Sequence, residues 1–329
     1  MMKIFMTGAS GFLGSHTAEL LHDKGHEIQA LVRATSQTEH LKKRKIPLVL
    51  GALPHCENFA KSLEGQDVII HIAAVVKALS QKDFLYHNHL STQNLVKTIL
   101  SLKKKPQKFI HISTIAVHDP SQSKDFCQPP EQCQPLSHYG ESKMQAERSL
   151  EPLKDEMTVT ILRPPVLYGE RDWELFPLIQ SVQKGLTPIW GKGDKQFSMC
   201  YVKDVAEAIA TLVESPSCDS EIFCLDDGAE HSWRSVALEI GKVIGKEPRL
   251  IALPSFAFTL AAGLNQTWAQ LRRRPHVFTL NKLKEMKQAR WICGHQKLAN
   301  HFKWEPSTSL KEGLQNTLEY YRAIGKLSA

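Results

Sequence analysis

The sequence lacks the features that mark membrane-spanning and exported chains. It has no run of about 18 apolar residues, the length that a helix needs to cross a bilayer, and its hydrophobic fraction is an ordinary 42%. Its first residues lack the basic segment, apolar segment and cleavage site of a secretory signal peptide. We therefore expect no transmembrane segment and a cytoplasmic location.

Cysteine is sparse and unpatterned. There are seven cysteines, an odd number, at irregular spacing and without a Cys-x-x-Cys pair. Such a set argues against a disulfide framework or a zinc site, and reduced thiols fit it better. A bond between Cys127 and Cys133, in a polar, proline-rich loop, is the one disulfide alternative. We expect no bound metal.

Long basic stretches interleaved with aromatic residues are also missing. The formal net charge is +7, but the basic runs at 42–45, 103–105 and 272–274 are short. A nucleic-acid surface would place aromatic residues among them. We expect solvated basic side chains and no nucleic-acid partner, while attraction for a phosphate-bearing ligand stays open.

The sequence does contain an alternation of short apolar strands and helical stretches. Strands that alternate with helices imply βαβ units and a parallel sheet. After about Pro164 this rhythm changes to loops, helices and one late strand. The predicted strands are 3–7, 26–32, 46–50, 67–73, 109–113, 158–162 and 221–225. The first predicted helix follows the first strand and ends near Asp23, and the later ones span 84–103, 138–154, 204–214, 233–245 and 308–324.

A glycine-rich turn joins the first strand to the first helix. In Thr7-Gly8-Ala9-Ser10-Gly11-Phe12-Leu13-Gly14, the first glycine permits a tight turn, the second lets the backbone approach a pyrophosphate, and the third lets helix and strand pack closely. The N-terminus of the helix adds unpaired N–H groups and the positive end of its dipole. Because the turn has a strand before it and a helix after it, it predicts a dinucleotide site.

These patterns predict an α/β fold, a Rossmann-type doubly wound parallel sheet with a smaller mixed C-terminal substrate lobe. The dinucleotide-binding domain would comprise residues 1–165 plus about 200–225. The substrate lobe would comprise residues 166–199 and 226–329.

The end of the second strand bears on which dinucleotide binds. NAD sites usually place an acidic residue there for the ribose 2′-hydroxyl, but the residues are Leu31-Val32-Arg33. The planar fork of Arg33 could pair with a 2′-phosphate. We therefore expect NADP(H) ahead of NAD(H), which remains the alternative.

Tyr139 and Lys143 are four residues apart at the start of a predicted helix, so their side chains share one face. A nearby ammonium stabilises a phenolate and lowers the pKa of a tyrosine, which is near 10 in the reference state. Thr114 ends the fifth strand, at the sheet edge where such folds bind ligands. These three residues are the predicted catalytic centre.

In this order along the chain, the motifs resemble those of the extended short-chain dehydrogenase/reductase superfamily, which includes the NAD-dependent epimerases and dehydratases. The resemblance covers nearly the whole chain. Besides the glycine-rich turn and Tyr-x-x-x-Lys, it rests on His71-Ile72-Ala73-Ala74, Asn88-x-x-x-Thr92-x-Asn94, Arg163-Pro164-Pro165-Val166-Leu167-Tyr168-Gly169 and Tyr201-Val202-Lys203-Asp204-Val205-Ala206.

The resemblance implies a role for each matching position. Tyr139 would be the general acid or base, Lys143 would tune it and hold the nicotinamide ribose, and Thr114 with Ser113 would bind the reacting oxygen. It also implies a homodimer through the helices at 84–103 and 138–154. The implied cofactor contacts are Gly8, Ser10, Gly11, Phe12, Leu13, Gly14, Arg33, Leu53, Ala73, Ala74, Asn88, Ser113, Tyr139, Lys143, Pro164 and Val166.

Two departures from the family pattern stand out. Gly51-Ala52-Leu53 lacks the acidic residue that many relatives carry near the adenine amine, so apolar contacts would replace it. His118 stands where many relatives have a tyrosine. We expect it to be a loop residue, with contact to the substrate as the alternative.

The two residues after Thr114 narrow the chemistry. The nucleotide-sugar dehydratases carry an Asp-Glu pair there, whereas this chain has Ile115-Ala116 and so lacks the acid and base for elimination. An epimerase needs no such pair. We therefore expect an oxidoreductase that interconverts a secondary alcohol and a ketone, with a nucleotide-sugar epimerase and a non-catalytic dinucleotide-binding protein as alternatives.

The C-terminal third resembles the branch near 3β-hydroxysteroid dehydrogenases and dihydroflavonol reductases, whose substrates are lipophilic. The apolar stretch 250–264 is expected to be a core or dimer helix, with a lipophilic pocket or a membrane surface as alternatives. Arg171, after the sixth strand, would favour a diphosphate substrate if it faced the cleft.

Overall fold

A single parallel sheet of seven strands organises the computed structural model, which describes residues 1–120, 127–216, 220–276 and 278–327. The strands of the chain are β1 Lys3–Thr7, β2 Glu27–Val32, β3 Leu48–Leu50, β4 Val68–His71, β5 Lys108–Ile112, β6 Thr158–Arg163, β7 Val166–Tyr168, β8 Leu186–Trp190, β9 Gln196–Phe197, β10 Met199–Tyr201, β11 Glu221–Cys224, β12 His231–Ser232, β13 Arg249–Leu253 and β14 Arg290–Trp291. The sheet order is β3-β2-β1-β4-β5-β6-β11, and every pair in it is parallel. The order reverses between β1 and β4, which is where ligands bind in sheets of this kind.

Helices cover both faces of the sheet and build most of the second lobe. They are α1 Phe12–Asp23, α2 Glu39–Lys43, α3 Ala60–Leu63, α4 Gln81–Phe84, α5 Ser91–Leu100, α6 His138–Arg148, α7 Phe176–Gln183, α8 Val202–Glu214, α9 Trp233–Ile244, α10 Ser255–Arg272, α11 Leu280–Met286, α12 Gln296–Phe302 and α13 Leu310–Ala323. Short 3₁₀ turns lie at Leu53–Phe59, Ile115–Val117 and Glu151–Leu153, and one π-helical segment lies at Leu85–Leu90.

The central strands are buried on both faces, which explains their nearly continuous apolar sequences. Alternate residues of a strand point to opposite faces. Accordingly, Ile4 and Met6 of β1 belong to one apolar cluster, whereas Phe5 belongs to the cluster on the other face. The sheet therefore separates two hydrophobic cores, one on each of its faces.

The second lobe is mixed. It contains a three-stranded sheet of β12, β9 and β14, in which one pair is antiparallel and the other parallel, and a parallel pair of β13 and β8. With the seven-stranded parallel sheet, this confirms the predicted fold class.

Several predicted boundaries were wrong. The third strand begins at Leu48, two residues after the predicted start, and the segment predicted as one helix at 84–103 is α4, a π segment and α5, ending at Leu100. The helix predicted at 138–154 ends at Arg148, and a 3₁₀ turn that contains Pro152 follows. Proline lacks the N–H that an α-helix needs, so the α-helix ends before Pro152 instead of continuing to 154.

Within the described residues, no helix is both long enough and apolar enough to span a membrane.

Candidate active site

A cleft of about 1910 Å³ opens at the carboxyl ends of the central strands, between the sheet and the second lobe. A pocket for one drug-sized ligand usually has about 300–1,000 Å³, so this cleft has room for a dinucleotide and a second molecule. Most of the predicted site residues line it: Gly8, Ser10, Gly11, Phe12, Leu13, Gly14, Arg33, Leu53, Ala73, Ala74, Ser113, Thr114, Tyr139, Pro164, Val166 and Arg171.

The turn after β1 is packed so closely that only glycine fits at two positions. Gly8 has φ +76°, and a Cβ there would lie 2.6 Å from the backbone nitrogen of Ala73. A Cβ on Gly14 would lie 2.1 Å from the carbonyl oxygen of Gly8. Because Gly11 begins α1 without a side-chain cap, the first N–H groups of the helix are left for a ligand. This cradle fits the pyrophosphate of a dinucleotide.

The adenosine end of the cleft carries basic side chains and no acid at the end of β2. Arg33 follows β2 directly, is exposed and lines the cleft, and its own N–H donates to the Ser36 hydroxyl at 3.0 Å. His40 and Lys43 line the same end, together with one acid, Glu39. Arg33 therefore lines the cleft directly after β2, and its pairing with a 2′-phosphate stays a prediction.

Thr114 and Tyr139 are brought together at the other end of the cleft. Ser137 caps α6 by accepting a hydrogen bond from the Gly140 N–H at 3.0 Å, which starts the helix just before Tyr139. Burial, and next the negative charge of Glu285, raise the pKa of Tyr139 above its usual range, while a hydrogen bond with Thr114 acts in the other direction. This corrects the expectation that Lys143 lowers the pKa of Tyr139. The phenol is protonated at neutral pH and can act as a proton donor.

Lys143 lies behind this pair, against β5. It is 2% exposed, and its ammonium donates to the Ile112 carbonyl at 2.8 Å and to His111 Nε2 at 3.2 Å. Burial lowers the pKa of Lys143 to about 8. These two bonds use two of the three N–H donors of the ammonium, which leaves one donor for the cofactor ribose that the resemblance implies.

Two buried histidines beneath the site were missed in the sequence. The ring of His71 joins two threonines, Thr7 at 2.7 Å and Thr92 at 2.9 Å, and lies 5.2 Å from the ring of His111. Burial and the charge of Lys143 lower the pKa of both histidines, that of His71 to about 3. Both rings are therefore neutral, and His111 accepts from the Lys143 ammonium. One feature of the sequence could have revealed them: each of the neighbouring strands β4 and β5 carries a histidine at the equivalent position.

Asn88, predicted as a cofactor contact, is buried and engaged within the protein. Its side chain is 2% exposed and bonds the protein itself: Oδ1 accepts from the Val75 N–H at 2.8 Å, and Nδ2 donates to the Val75 carbonyl at 3.0 Å and to Ser142 Oγ at 2.9 Å. It connects the loop after β4 to the helix that carries Tyr139.

His118 is also placed away from the cleft, in the interior rather than in an open loop. Arg163 Nη1 donates to its Nε2 at 3.0 Å, and Arg163 forms a fully buried ion pair with Glu147. Burial, reinforced by the charge of Arg163, lowers the pKa of His118 to about 3. The alternative of a substrate contact is therefore not supported by its position, because the residue is only 3% exposed.

The cysteines of the described residues are free thiols, while Cys218 lies outside the described residues. The Cys127 sulfur lies 3.4 Å from the sulfur of Cys224, rather than beside the predicted alternative Cys133. The Cys133 sulfur instead contacts the carbonyl oxygen of Pro129, at 3.5 Å.

Arg171 lines the cleft but is already paired. Its Nη2 donates to both carboxylate oxygens of Glu19, at 2.8 and 2.9 Å. Glu19 belongs to α1 and also pairs with Arg44 at 3.3 Å, so one carboxylate is shared by two arginines, and Arg171 Nη1 is buried without a hydrogen-bond partner among the described residues.

The substrate side of the cleft combines aromatic side chains with polar ones such as Gln196, Asn281 and Gln288. It also contains Glu285, which is 7% exposed and has one carboxylate oxygen without a hydrogen-bond partner among the described residues, the other being paired with Lys282. Isolated in a polar helix, Glu285 carried no sequence signal. The aromatic lining residues of this side are Trp173, Phe197, Trp233, Phe278 and Trp291.

The model of the NAD dependent epimerase/dehydratase family matches residues 4–223. The chain belongs to this family. It is an enzyme of the extended short-chain dehydrogenase/reductase type, either an oxidoreductase or an epimerase, and the predicted resemblance is confirmed.

Relatives include both kinds of enzyme. The chain is 26% identical over 328 residues to ceramide reductase of Caulobacter vibrioides, which covers 98% of this chain and 96% of that protein. It is 26% identical over 245 residues to the decarboxylating sterol-4-alpha-carboxylate 3-dehydrogenase of Dictyostelium discoideum, covering 71% and 74%. UDP-sugar epimerases are among the relatives at similar identity.

A solved structure extends the likeness of fold to the whole chain. UDP-glucuronic acid 4-epimerase from Bacillus cereus, in complex with UDP-glucuronic acid and NAD, superposes with a TM-score of 0.78 at 21% identity and covers 98% of this chain and 100% of that one. At this identity the comparison concerns the fold.

Proposed function

We propose that this protein is an NADP(H)-preferring oxidoreductase that interconverts a secondary alcohol and a ketone on a lipophilic substrate. The observation that carries the proposal is the set of aromatic side chains that line the same cleft as Tyr139, among them Trp233, Phe278 and Trp291. Apolar walls with a few polar groups suit a lipophilic ligand. The relatives that reduce ceramide or oxidise a sterol carboxylate support the same substrate class.

A bound nicotinamide would donate or accept the hydride, and the residues of the chain handle the proton. In the direction of reduction, the protonated Tyr139 hydroxyl donates its proton to the carbonyl oxygen as the alkoxide develops. The Thr114 hydroxyl, already in contact with Tyr139, stabilises the same oxygen. The Lys143 ammonium lies one helical turn along α6 and favours the phenolate that remains.

The preference for NADP(H) rests on Arg33. Arg33 follows β2 directly and lines the cleft, and no acid follows β2 to bind a 2′-hydroxyl. NAD is present in solved relatives, so both cofactors belong in any test.

The epimerase alternative requires cations that converge on a diphosphate in the second lobe. The candidates among the described lining residues are engaged elsewhere: Arg171 pairs with Glu19, Lys282 pairs with Glu285, and Lys195 stacks over Trp190 and donates to the Met286 carbonyl. These contacts weigh against a nucleotide sugar and favour the lipophilic substrate.

The test is a steady-state panel of 3-oxosteroids, long-chain aliphatic ketones, UDP-glucose and UDP-glucuronic acid, each with NADPH and with NADH. We expect ketone-dependent NADPH oxidation at higher kcat/KM than with NADH, and no 4-epimer of either sugar. Tyr139→Phe should lower kcat by about 10²–10⁴-fold with cofactor affinity unchanged, whereas Tyr86→Phe, at the exposed rim of the cleft, should remain active. Arg33→Gln should remove the preference for NADPH.

Formation of the 4-epimer without net oxidation of NADPH would show that the epimerase alternative is right. Turnover that survives in Tyr139→Phe would refute the mechanism with either substrate.

A further inference from the structure

Helix α10 holds a stripe of large apolar side chains in solvent. Their positions follow the helix repeat, with spacings of four, four, four and three residues, so they lie within one arc of about 120° on the helix surface. The stripe consists of Phe256 at 73% exposed, Leu260 at 62%, Leu264 at 65%, Trp268 at 50% and Leu271 at 84%.

The opposite face of α10 is fixed to the protein. Phe258 stacks on Trp190, with ring centroids 4.9 Å apart, and Ala262 and Ala269 are buried. Asn265 Nδ2 donates to the carbonyl oxygen of Phe278 at 2.7 Å. Since these contacts set the rotation of the helix, the apolar stripe faces outward by construction. This corrects the expectation of a core helix.

The charge around the stripe is of one sign. Between Glu247 and Glu285 the sequence has six basic residues and no acidic residue. Arg272, Arg273 and Arg274 end the helix and are exposed, and the Arg272 guanidinium lies 4.9 Å from the centre of the Trp268 ring. An apolar face bordered by arginine and tryptophan is typical of a helix that lies in a bilayer interface.

The stripe is close in sequence to the mouth of the cleft. His276, Phe278 and Thr279 line the cleft and follow Leu271, the last residue of the stripe, by five to eight residues. A surface that holds the stripe would therefore hold this side of the mouth as well.

We propose that α10 docks the protein on the surface of an anionic lipid bilayer, with its axis in the membrane plane and the substrate side of the cleft near the lipid. The helix enters with one face only, because its other face is packed on Trp190 and the residues around it. A second copy of the chain suits the stripe less well, because the same segment on the copy offers the three arginines no carboxylate. The docking does not depend on the proposed function.

The test is flotation of the purified full chain with vesicles of phosphatidylcholine alone and of phosphatidylcholine with phosphatidylglycerol. We expect binding to the anionic vesicles. Replacing the three arginines together by glutamine should weaken that binding by about a hundredfold, since each charge near an anionic surface contributes about fivefold. Leu260→Gln combined with Leu264→Gln should abolish it.

The control is Leu186→Gln, which removes a leucine of similar exposure, 53%, from strand β8 and should leave vesicle binding unchanged. Thermal unfolding of each variant shows that it is folded. Absence of wild-type binding to anionic vesicles, or equal binding by the double leucine variant, overturns the proposal. A different outcome is that the wild type does not bind vesicles and light scattering finds it dimeric, whereas the double leucine variant is monomeric. In that case the stripe is an interface between copies of the chain.

Discussion

The spacing of four residues between Tyr139 and Lys143 does not predict the surroundings of the Lys143 ammonium. His111 accepts one of its hydrogen bonds, the Ile112 carbonyl accepts another, and burial lowers the pKa to about 8. A lysine whose pKa is near 8 changes its charge within the range in which enzymes are assayed. We therefore propose that His111 is a positioning residue, which would act on the cofactor through Lys143.

The pH dependence of cofactor affinity tests this role. In the wild type, the affinity for NADPH should weaken as the pH rises through about 8, because Lys143 loses its proton. His111→Phe removes an acceptor and makes the charged form less favourable, so the weakening should begin at lower pH. His111→Gln, which can still accept, should restore the wild-type profile. The same pH profile in His111→Phe would show that the histidine only fills space.

At the scale of elements, the segment between α4 and α5 shows what helical periodicity misses. The pattern predicted one helix, but the chain forms a π-helical segment at Leu85–Leu90. This segment carries Asn88, whose amide joins the loop after β4 to α6. Local insertions of this type are frequent at functional sites, and here the insertion supports the helix that presents Tyr139.

Asn88→Ala should lower the free energy of unfolding by about 2–4 kcal/mol, because it leaves several buried polar groups without partners. It should also weaken cofactor binding, since α6 loses its connection to the cofactor half of the cleft. Urea unfolding and a cofactor titration measure the two effects.

Asn94→Ala is the matched control. Asn94 lies on α5 and donates a single bond, to the Pro54 carbonyl at 3.0 Å, so its loss should cost about 1 kcal/mol and leave cofactor affinity unchanged. Equal effects of the two variants would contradict the role given to Asn88.

At the scale of the whole molecule, burial lowers the pKa of several interior histidines: His71, His111, His118 and also His16. Burial is the main reason that the pKa values of His71 and His118 are lowered to about 3 and that of His111 is well below its usual range. Asp172 acts in the opposite direction, because burial raises its pKa to about 6. The histidines outnumber it, so acid should destabilise the fold.

Proton binding sets the direction of this effect. Below about pH 6.5 the unfolded chain binds protons at these histidines and the folded chain does not, so stability is lost as the pH falls. Between pH 7.5 and 5.5 each histidine costs about 1.4 kcal/mol. For His71, His111 and His118, subtracting a gain of somewhat under 1 kcal/mol from Asp172 leaves a net loss of roughly a few kcal/mol. The lowered pKa of His16 acts in the same direction as the histidines, and the raised pKa of Asp226 acts in the same direction as Asp172. Urea unfolding at both pH values measures it.

His118→Gln should reduce the loss of stability between pH 7.5 and 5.5 by the contribution of one histidine, about 1.4 kcal/mol. His87→Gln, at an exposed position, should not change it. A stability that stays constant from pH 7.5 to 5.5 would mean that the buried rings take up protons in the folded state.

The sequence by itself determined the fold class, the family, the glycine-rich cradle and the placement of Thr114 and Tyr139 at one sheet edge. These depend on local rules: strand and helix periods, the steric limits at Gly8 and Gly14, and the common edge at which parallel strands end. Only the tertiary structure decided that Lys143 bonds His111, that Arg171 is paired with Glu19, that His118 is interior and that the stripe of α10 faces solvent. Each of these depends on contacts between residues that are far apart in the sequence. A local pattern of residue types along the chain does not specify which distant residues come into contact.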